Sequence, residues 1–267
     1  MSVIIKINNT PQLRWGASLI SVIICLGLWH LVAVFKLKLG FITFEYVPLP
    51  GEVVTAFLKL ANGEKLLPHL SSSLQRVFLG YLLAAVAGVT LGILIGRSKL
   101  LQSFLLPPLE LLRPIPAVAW IPLAILMFPS SEASMIFITF TGALFPILLN
   151  TIHGVEGIDQ RLIASAKSLG ASPVALLNDV VIPGAAPAIV TGLSIGMGTS
   201  WFCLVTAEMI SGQWGIGYYT WESFLVQRYP DIVVGMVLIG FLGMGSSWLV
   251  RTAGNRATPW YFLRRSY

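Results

Sequence analysis

Ala185-Ala186-Pro187-Ala188-Ile189-Val190-Thr191-Gly192-Leu193-Ser194-Ile195-Gly196-Met197-Gly198-Thr199-Ser200-Trp201-Phe202-Cys203-Leu204-Val205-Thr206-Ala207 runs without one charged side chain. A helix crosses the hydrocarbon core of a bilayer with about 20 predominantly apolar residues. Lipid offers the backbone no hydrogen-bond partner, so a run of this length reads as a membrane-spanning helix. Residues 17–35, 77–95, 133–152 and 232–250 meet the same test. A further stretch, 100–128, is apolar but carries Glu110, Arg113 and prolines at 107, 108, 114, 116 and 122. It reads as a kinked or broken span buried by its neighbours. The expected fold class is an all-α integral membrane protein of about six transmembrane helices.

Composition agrees. Of the 267 residues 56% are hydrophobic and 10% charged, whereas a soluble domain carries roughly 25% charged residues. Disorder, a coiled coil and nucleic-acid binding are disfavoured, the last despite the net charge of +6. That basic excess reports topology instead. Lys6 and Arg14 precede the first span as in a secretory signal, but its apolar run is long and no small-residue cleavage site follows, so it is expected to stay as a helix. With the N-terminus inside, Lys6, Arg14, Arg97, Lys99, Arg161, Lys167, Arg251, Arg256, Arg264 and Arg265 fall on the cytoplasmic side. Lys36, Lys38, Lys59, Lys65, Arg76 and Arg228 fall outside, and both termini are cytoplasmic. Cys25 and Cys203 lie in apolar runs and supply neither a disulfide framework nor a thiolate metal cluster.

Two connections are longer than linking needs. In the outer one, Lys36 to Arg76, the apolar positions of Glu52–Leu60 fit one face of a helix on the membrane surface. The inner one, Gly154 to Gly184, contains Ala164-Ser165-Ala166-Lys167-Ser168-Leu169-Gly170-Ala171-Ser172 and, further on, Val180 and Ile182-Pro183. Leu162, Ala166 and Leu169 share a helical face, Gly170 permits a sharp change of direction, and Leu176, Leu177 and Val180 begin a second apolar face. Two short helices joined at a glycine make a knob suited to a groove on another protein.

The spacing resembles the loop motif Glu-Ala-Ala, three residues, Gly, nine residues, Ile, one residue, Leu-Pro of the membrane subunits of ATP-binding-cassette importers. Ala166, Gly170 and Pro183 match it, Val180 and Ile182 stand for its Ile and Leu, and Ala164 and Ser165 replace the glutamate and first alanine. Residues 111–123, Phe145-Pro146-Ile147-Leu148-Leu149-Asn150-Thr151 and Ala207-Glu208-Met209-Ile210 resemble the nitrate/sulfonate/taurine branch of these permeases. The resemblance covers roughly residues 48–260. It implies a type I importer permease fold in the bacterial inner membrane and a small-anion cargo: nitrate, bicarbonate, cyanate, taurine or an alkanesulfonate. The implied partners are cytoplasmic ATPase subunits, a second permease copy, lipid, and a periplasmic or lipid-tethered binding protein. On this reading 1–70 holds the tail, first span and outer segment, 71–254 the permease core and 255–267 a cytoplasmic tail. No Gly-x-x-x-x-Gly-Lys-Ser/Thr loop occurs, so the chain is expected to bind no cofactor and to be no enzyme, ATP and Mg²⁺ belonging to the partner ATPase.

Charges inside spans are functional candidates by default. Glu110 and Arg113, three apart, read either as an internal ion pair or as a site where Arg113 helps an anion through. Glu208 reads as a gating or packing carboxylate, since it would repel an anion. Trp120 and Trp201 either line a cavity or pack. Gly192, Gly196 and Gly198 allow close helix approach, inside the chain or at a partner. Gly212, Gly215 and Gly217 among Trp214, Tyr218, Tyr219 and Trp221 suggest an outer loop or re-entrant turn, and a possible solute gate. His30, His69 and His153 lack metal-ligand spacing. A membrane-embedded enzyme would want a nucleophile and base or an aspartate pair at depth, none of which appears. A stand-alone secondary transporter would leave the knob unexplained.

Overall fold

The computed structural model describes residues 11–260. Lys6, Arg264, Arg265 and the end of the 255–267 tail lie outside the described residues, as does the side chain of Arg14. Helix α1 (Pro11–Phe35) is followed by a hairpin of β1 (Lys38–Leu39) and β2 (Ile42–Thr43), then α2 (Pro50–Ala61), α3 (Leu66–Arg97) and α4 (Lys99–Leu112). A single 3-10 turn (Ala117–Trp120) precedes α5 (Ile121–Met127) and α6 (Ser131–Glu156). Next come α7 (Gln160–Ser168), one turn of α8 (Pro173–Ala175) and a wide π turn (Leu176–Val181) that runs into α9 (Ile182–Ser211). Helices α10 (Ile216–Leu225) and α11 (Tyr229–Ala257) complete the order.

Five helices are long and apolar enough to cross a membrane, and six spans result if α4 and 117–127, bent by 83°, count as one. The broken span expected over 100–128 is thus present. Its break lies at Arg113-Pro114-Ile115-Pro116, while Pro107 and Pro108 sit inside α4. Prolines one residue apart remove alternate backbone donors and push Ile115 out of the helical region. The surface helix expected over 52–60 is α2, which starts at Pro50, where Glu52 Oε2 accepts the Leu49 N–H at 2.9 Å.

The centre is a slab of α3, α6 and α9 held by small residues. Added Cβ atoms on Gly80, Gly88, Gly92 and Gly96 of α3 would come within 2.7, 2.9, 2.5 and 2.8 Å of Thr139, Ile147, Thr151 and Val155 of α6. Recurring every four residues or twice that, these positions form one stripe along the helix. On the other face of the slab, Gly142 meets Cys203 and Gly196 meets Ile147. Without a hydrophobic drive between helices in lipid, this closeness is what lets dispersion hold them. Gly192 and Gly196 therefore serve packing within the chain, and Gly198 faces open space toward Ser247, 4.0 Å away. Helix α11 lies against α9, where Trp201 Nε1 donates to Ser246 Oγ at 2.8 Å. Helix α1 stands apart, with 6% of its apolar window buried.

Helix α3 begins at Leu66, well before the apolar run at Val77. The outer connection is correspondingly shorter than Lys36 to Arg76, and Arg76 is no loop cation. From Pro173 to Ser211 the chain is helical for 39 residues, roughly 58 Å at 1.5 Å per residue. That exceeds a hydrocarbon core of about 30 Å. One end of α9 must stand clear of the bilayer.

Candidate functional site

Helices α6 and α9 run antiparallel, joined at one end by residues 157–181 and tied at the other by buried polar groups.

At the loop end, Asp159 caps α7 by accepting the Arg161 N–H at 2.8 Å. The helix stops at Gly170, whose φ of 81° suits glycine. Gly170 N–H donates to Lys167 O at 3.0 Å, and Ala171 N–H to Ala166 O at 3.0 Å, the paired bonds of a Schellman stop. Two residues on, Ser172 Oγ accepts the Ala175 N–H at 3.2 Å and starts α8. A glycine stop, Ala171, a serine start and Pro173 at the first helical position make the corner tight.

Apolar contacts on one side of the corner fix it to the slab: Ile163, Leu177 and Val180 pack on Val155, Ile158, Val181 and Ala185. The first face therefore differs from the expected one. Ile163 turns inward with Ala166, whereas Leu162 is exposed and Leu169 is 88% exposed. The second short helix is not separate either, since the π turn joins it to α9. Ala164, Ser165 and Ser172 are exposed, Ala171 is half-buried, Ile182 is exposed, and Pro183 opens α9. Leu162, Leu169 and Val174 make an apolar crest on a loop that otherwise shows Arg161 and Lys167 to solvent.

At the far end, Arg76 of α3 and Glu208 of α9 pair at 2.9 Å, with side chains 3% and 0% exposed. Ser73 Oγ donates to both Glu208 oxygens, at 2.8 and 3.0 Å, and Gly217 N–H donates to Oε2 at 2.9 Å. The carboxylate is thus held by three neighbours, as a buried charge requires. Arg76 also donates from Nε to Glu132 Oε2 of α6 at 2.7 Å, pairs with Glu132 through its second terminal nitrogen, and bonds the Trp214 carbonyl at 2.5 Å. Ile216 N–H donates to Ser73 Oγ at 2.9 Å and Gly215 N–H to His69 Nδ1 at 3.1 Å. Gly215 has φ 129°, and a side chain there would strike the Glu208 carboxyl. Trp214, Tyr218 and Tyr219 surround the His69 ring. Burial, with help from the Asp231 carboxylate, pushes the Tyr219 phenol above its ordinary range, so that wall is uncharged. The expected turn with its aromatic rim is present, anchored from beneath.

Of the residues proposed for a translocation path, Trp120 and Trp201 share one apolar cluster, while Glu208 belongs to the far-end polar network. Trp201 and Glu208 are enclosed within the chain, Trp120 is half-buried in the 3-10 turn, and Arg113 is exposed at the bend. Glu110 and Arg113 form no ion pair, although Arg113, the C-cap of α4, keeps a helical backbone; both side chains are exposed. Ser73 and Glu132 escaped the reading of the sequence, which shows His69 only as a histidine without metal-ligand spacing and Arg76 only as an outer cation. Their signal is the spacing 69, 73, 76, 80, which continues the glycine stripe of α3. No group of His, Cys, Asp and Glu fit to hold a metal occurs among the described residues. A cleft of about 650 Å³ opens beside this end, with Lys59, Lys65, Glu222, Arg228 and Asp231 in its walls.

Residues 88–256 match the family of binding-protein-dependent transport system inner membrane components. The nitrate import permease protein of Leptolyngbya laminosa is 37% identical over 191 residues, 72% of this chain and 68% of its own. The taurine transport system permease protein of Escherichia coli K12 is 31% identical over 275 aligned residues, 98% of each. Among solved structures, the inward-facing MetNI methionine ABC transporter matches with a TM-score of 0.58 at 20% identity, over 73% of this chain and 94% of that one. That likeness fixes the fold as the type I importer permease. In such importers nucleotide hydrolysis belongs to a separate ATPase chain, and a solute-binding component completes the system. This chain therefore belongs to the binding-protein-dependent transport system inner membrane component family and is a permease subunit of an ABC importer.

Proposed function

We propose that this permease carries a small anion of the nitrate, bicarbonate, taurine or alkanesulfonate class and works as one of two identical copies. The cargo class rests on the named relatives, and the pairing on the tendency of membrane assemblies to close by two-fold symmetry. Both termini and the 157–181 loop face the cytoplasm, where Arg97, Lys99, Arg161 and Lys167 gather. The opposite end, with its mixed-charge cleft, receives the binding protein.

The carrying observation is the corner at Gly170. It presents Leu162, Leu169 and Val174 as an apolar crest, while Ile163, Leu177 and Val180 root it in the slab. A groove on the ATPase takes the crest, and ATP-driven closure of two ATPases moves both loops. Because α6 and α9 leave that loop and meet Arg76 at their far ends through Glu132 and Glu208, the slab tilts as one piece. Arg113, exposed and with no ion partner among the described residues, lends positive potential to the path between copies. Trp201 packs, and Glu208 anchors the far-end turn.

The test is reconstitution of the purified chain in proteoliposomes with and without the ATPase and binding protein encoded beside it. Uptake of one of these anions that requires ATP and all components supports the reading. Uptake by the chain alone overturns it, and ATP-driven uptake confined to another solute class overturns the cargo.

A further inference from the structure

The chain leaves α1 abruptly. Lys36 has φ 43°, so the backbone turns at the first residue past Phe35. Leu37 N–H donates to Val32 O at 3.4 Å and Phe44 N–H to Leu37 O at 3.1 Å. The β1–β2 hairpin, turned at Gly40 with φ 57°, is therefore pinned to the end of α1 and does not swing on a linker. At its tip Phe41 is completely exposed, and Leu39 and Ile42 are 63% and 59% exposed. A strand pair this short is marginal in water by itself, and an uncovered aromatic with two aliphatics on a polar turn calls for a cover.

The depth of the hairpin identifies that cover. Trp29 Nε1 donates to Pro48 O at 3.0 Å. Trp29 lies between one and two turns before Phe35, roughly 9 Å along the axis. Tyr46 packs on Tyr229, the first residue of α11, with ring centroids 5.2 Å apart. Tryptophan and tyrosine rings at the ends of spans mark the membrane–water boundary, and these two contacts fasten residues 36–48 to the ends of two spans. The helix beneath, α1, is almost bare of contacts within the chain, and its apolar surface suits lipid. Lys36 and Lys38 are exposed beside the apolar tip; Glu45 reaches Lys38 at 4.0 Å, and Lys36 has no ion partner among the described residues. An apolar tip and a basic flank, tied to span ends through Trp29 and Tyr46, match the chemistry of a lipid interface.

We propose that the 36–46 hairpin is an interfacial membrane anchor: Leu39, Phe41 and Ile42 enter the boundary between headgroups and acyl chains, and Lys36 and Lys38 meet lipid phosphates. It holds α1 and α2 at a fixed depth while the α3–α6–α9 slab moves beside them. The anchor does not depend on which solute is carried.

The test is a nitroxide at position 41 of the full chain, using Phe41→Cys in a Cys25→Ala background where Cys203 stays buried. The carrier is a nanodisc of phosphatidylethanolamine and phosphatidylglycerol. The expected ratio of oxygen to nickel-chelate accessibility is several-fold above that of a label at Glu64, on the exposed turn before α3. Adding Lys36→Asn, which tolerates the left-handed backbone, with Lys38→Gln should bring the ratio down toward the Glu64 value. A ratio equal to that at Glu64 overturns the anchor. So does a label shielded from both reagents, which would mean that a second copy or another subunit covers the tip.

Discussion

Arg76 and Glu208 lie 132 positions apart in sequence and 2.9 Å apart in space, sealed from solvent by three helices and a turn. The pair closes the far end of a slab whose near end carries the 157–181 loop. Breaking it by removing one partner strands the other charge, which in buried sites costs about 3–5 kcal/mol.

Arg76→Met should therefore lower the thermal midpoint sharply, while Glu208→Gln, which keeps an acceptor for Ser73 and Gly217, should lower it less. The double variant Arg76→Met with Glu208→Met should be more stable than Arg76→Met alone. Tryptophan fluorescence on heating in detergent checks the order, and equal losses in all three would show that the pair does not hold the helices.

Gly170 occupies a left-handed backbone, where a β-branched residue costs roughly 1–2 kcal/mol or more. Gly170→Val should leave insertion intact and uncouple ATP hydrolysis from uptake. Ser172→Ala removes the cap that follows, a loss of about 1 kcal/mol, and should do the same more weakly. The measurement is the ratio of solute imported to phosphate released.

The stripe on α3 makes a prediction with its own control. Gly92→Ala forces a Cβ within 2.5 Å of Thr151, and overpacking of that kind costs about 1–3 kcal/mol. Gly27→Ala on α1, with nothing within 4 Å, should be neutral. Unfolding midpoints that fall equally in both would refute the packing role.

Arg113→Gln should reduce the uptake of an anion several-fold and leave copurification with the ATPase unchanged, because the residue is exposed at the bend and is no part of the 157–181 loop. Normal uptake would remove Arg113 from the path.

Hydropathy alone located the spans, because lipid forbids any backbone other than a helix. The limits of that reading appear at α3. Its first turns carry His69, Ser73 and Arg76, which look like a water-facing segment until Gly215, Glu208 and Glu132 arrive from distant parts of the chain. A charge satisfied at long range has no local signature beyond its helical spacing. The Gly170 corner was legible because its signals are local, a glycine stop and a serine start. Which aliphatic side chain points inward was not: Leu162 and Ile163 are adjacent, and the choice belongs to Val155 and Ala185 on other helices. Glu110 and Arg113 have the i, i+3 spacing and a helical backbone for a pair, yet both are exposed and stay apart, because spacing permits such a contact without imposing it.

The two arms of the loop are joined to their spans differently. On one side the chain passes through Gly157, Ile158 and Asp159 before α7 begins; on the other, Pro173 to Ser211 is one unbroken rod. A load applied at Leu169 is thus borne by a stiff shaft on one flank and a short strap on the other. On the proposed docking, the stroke enters the slab through α9, and the Arg76 tie to Glu132 and Glu208 carries α6 along with it.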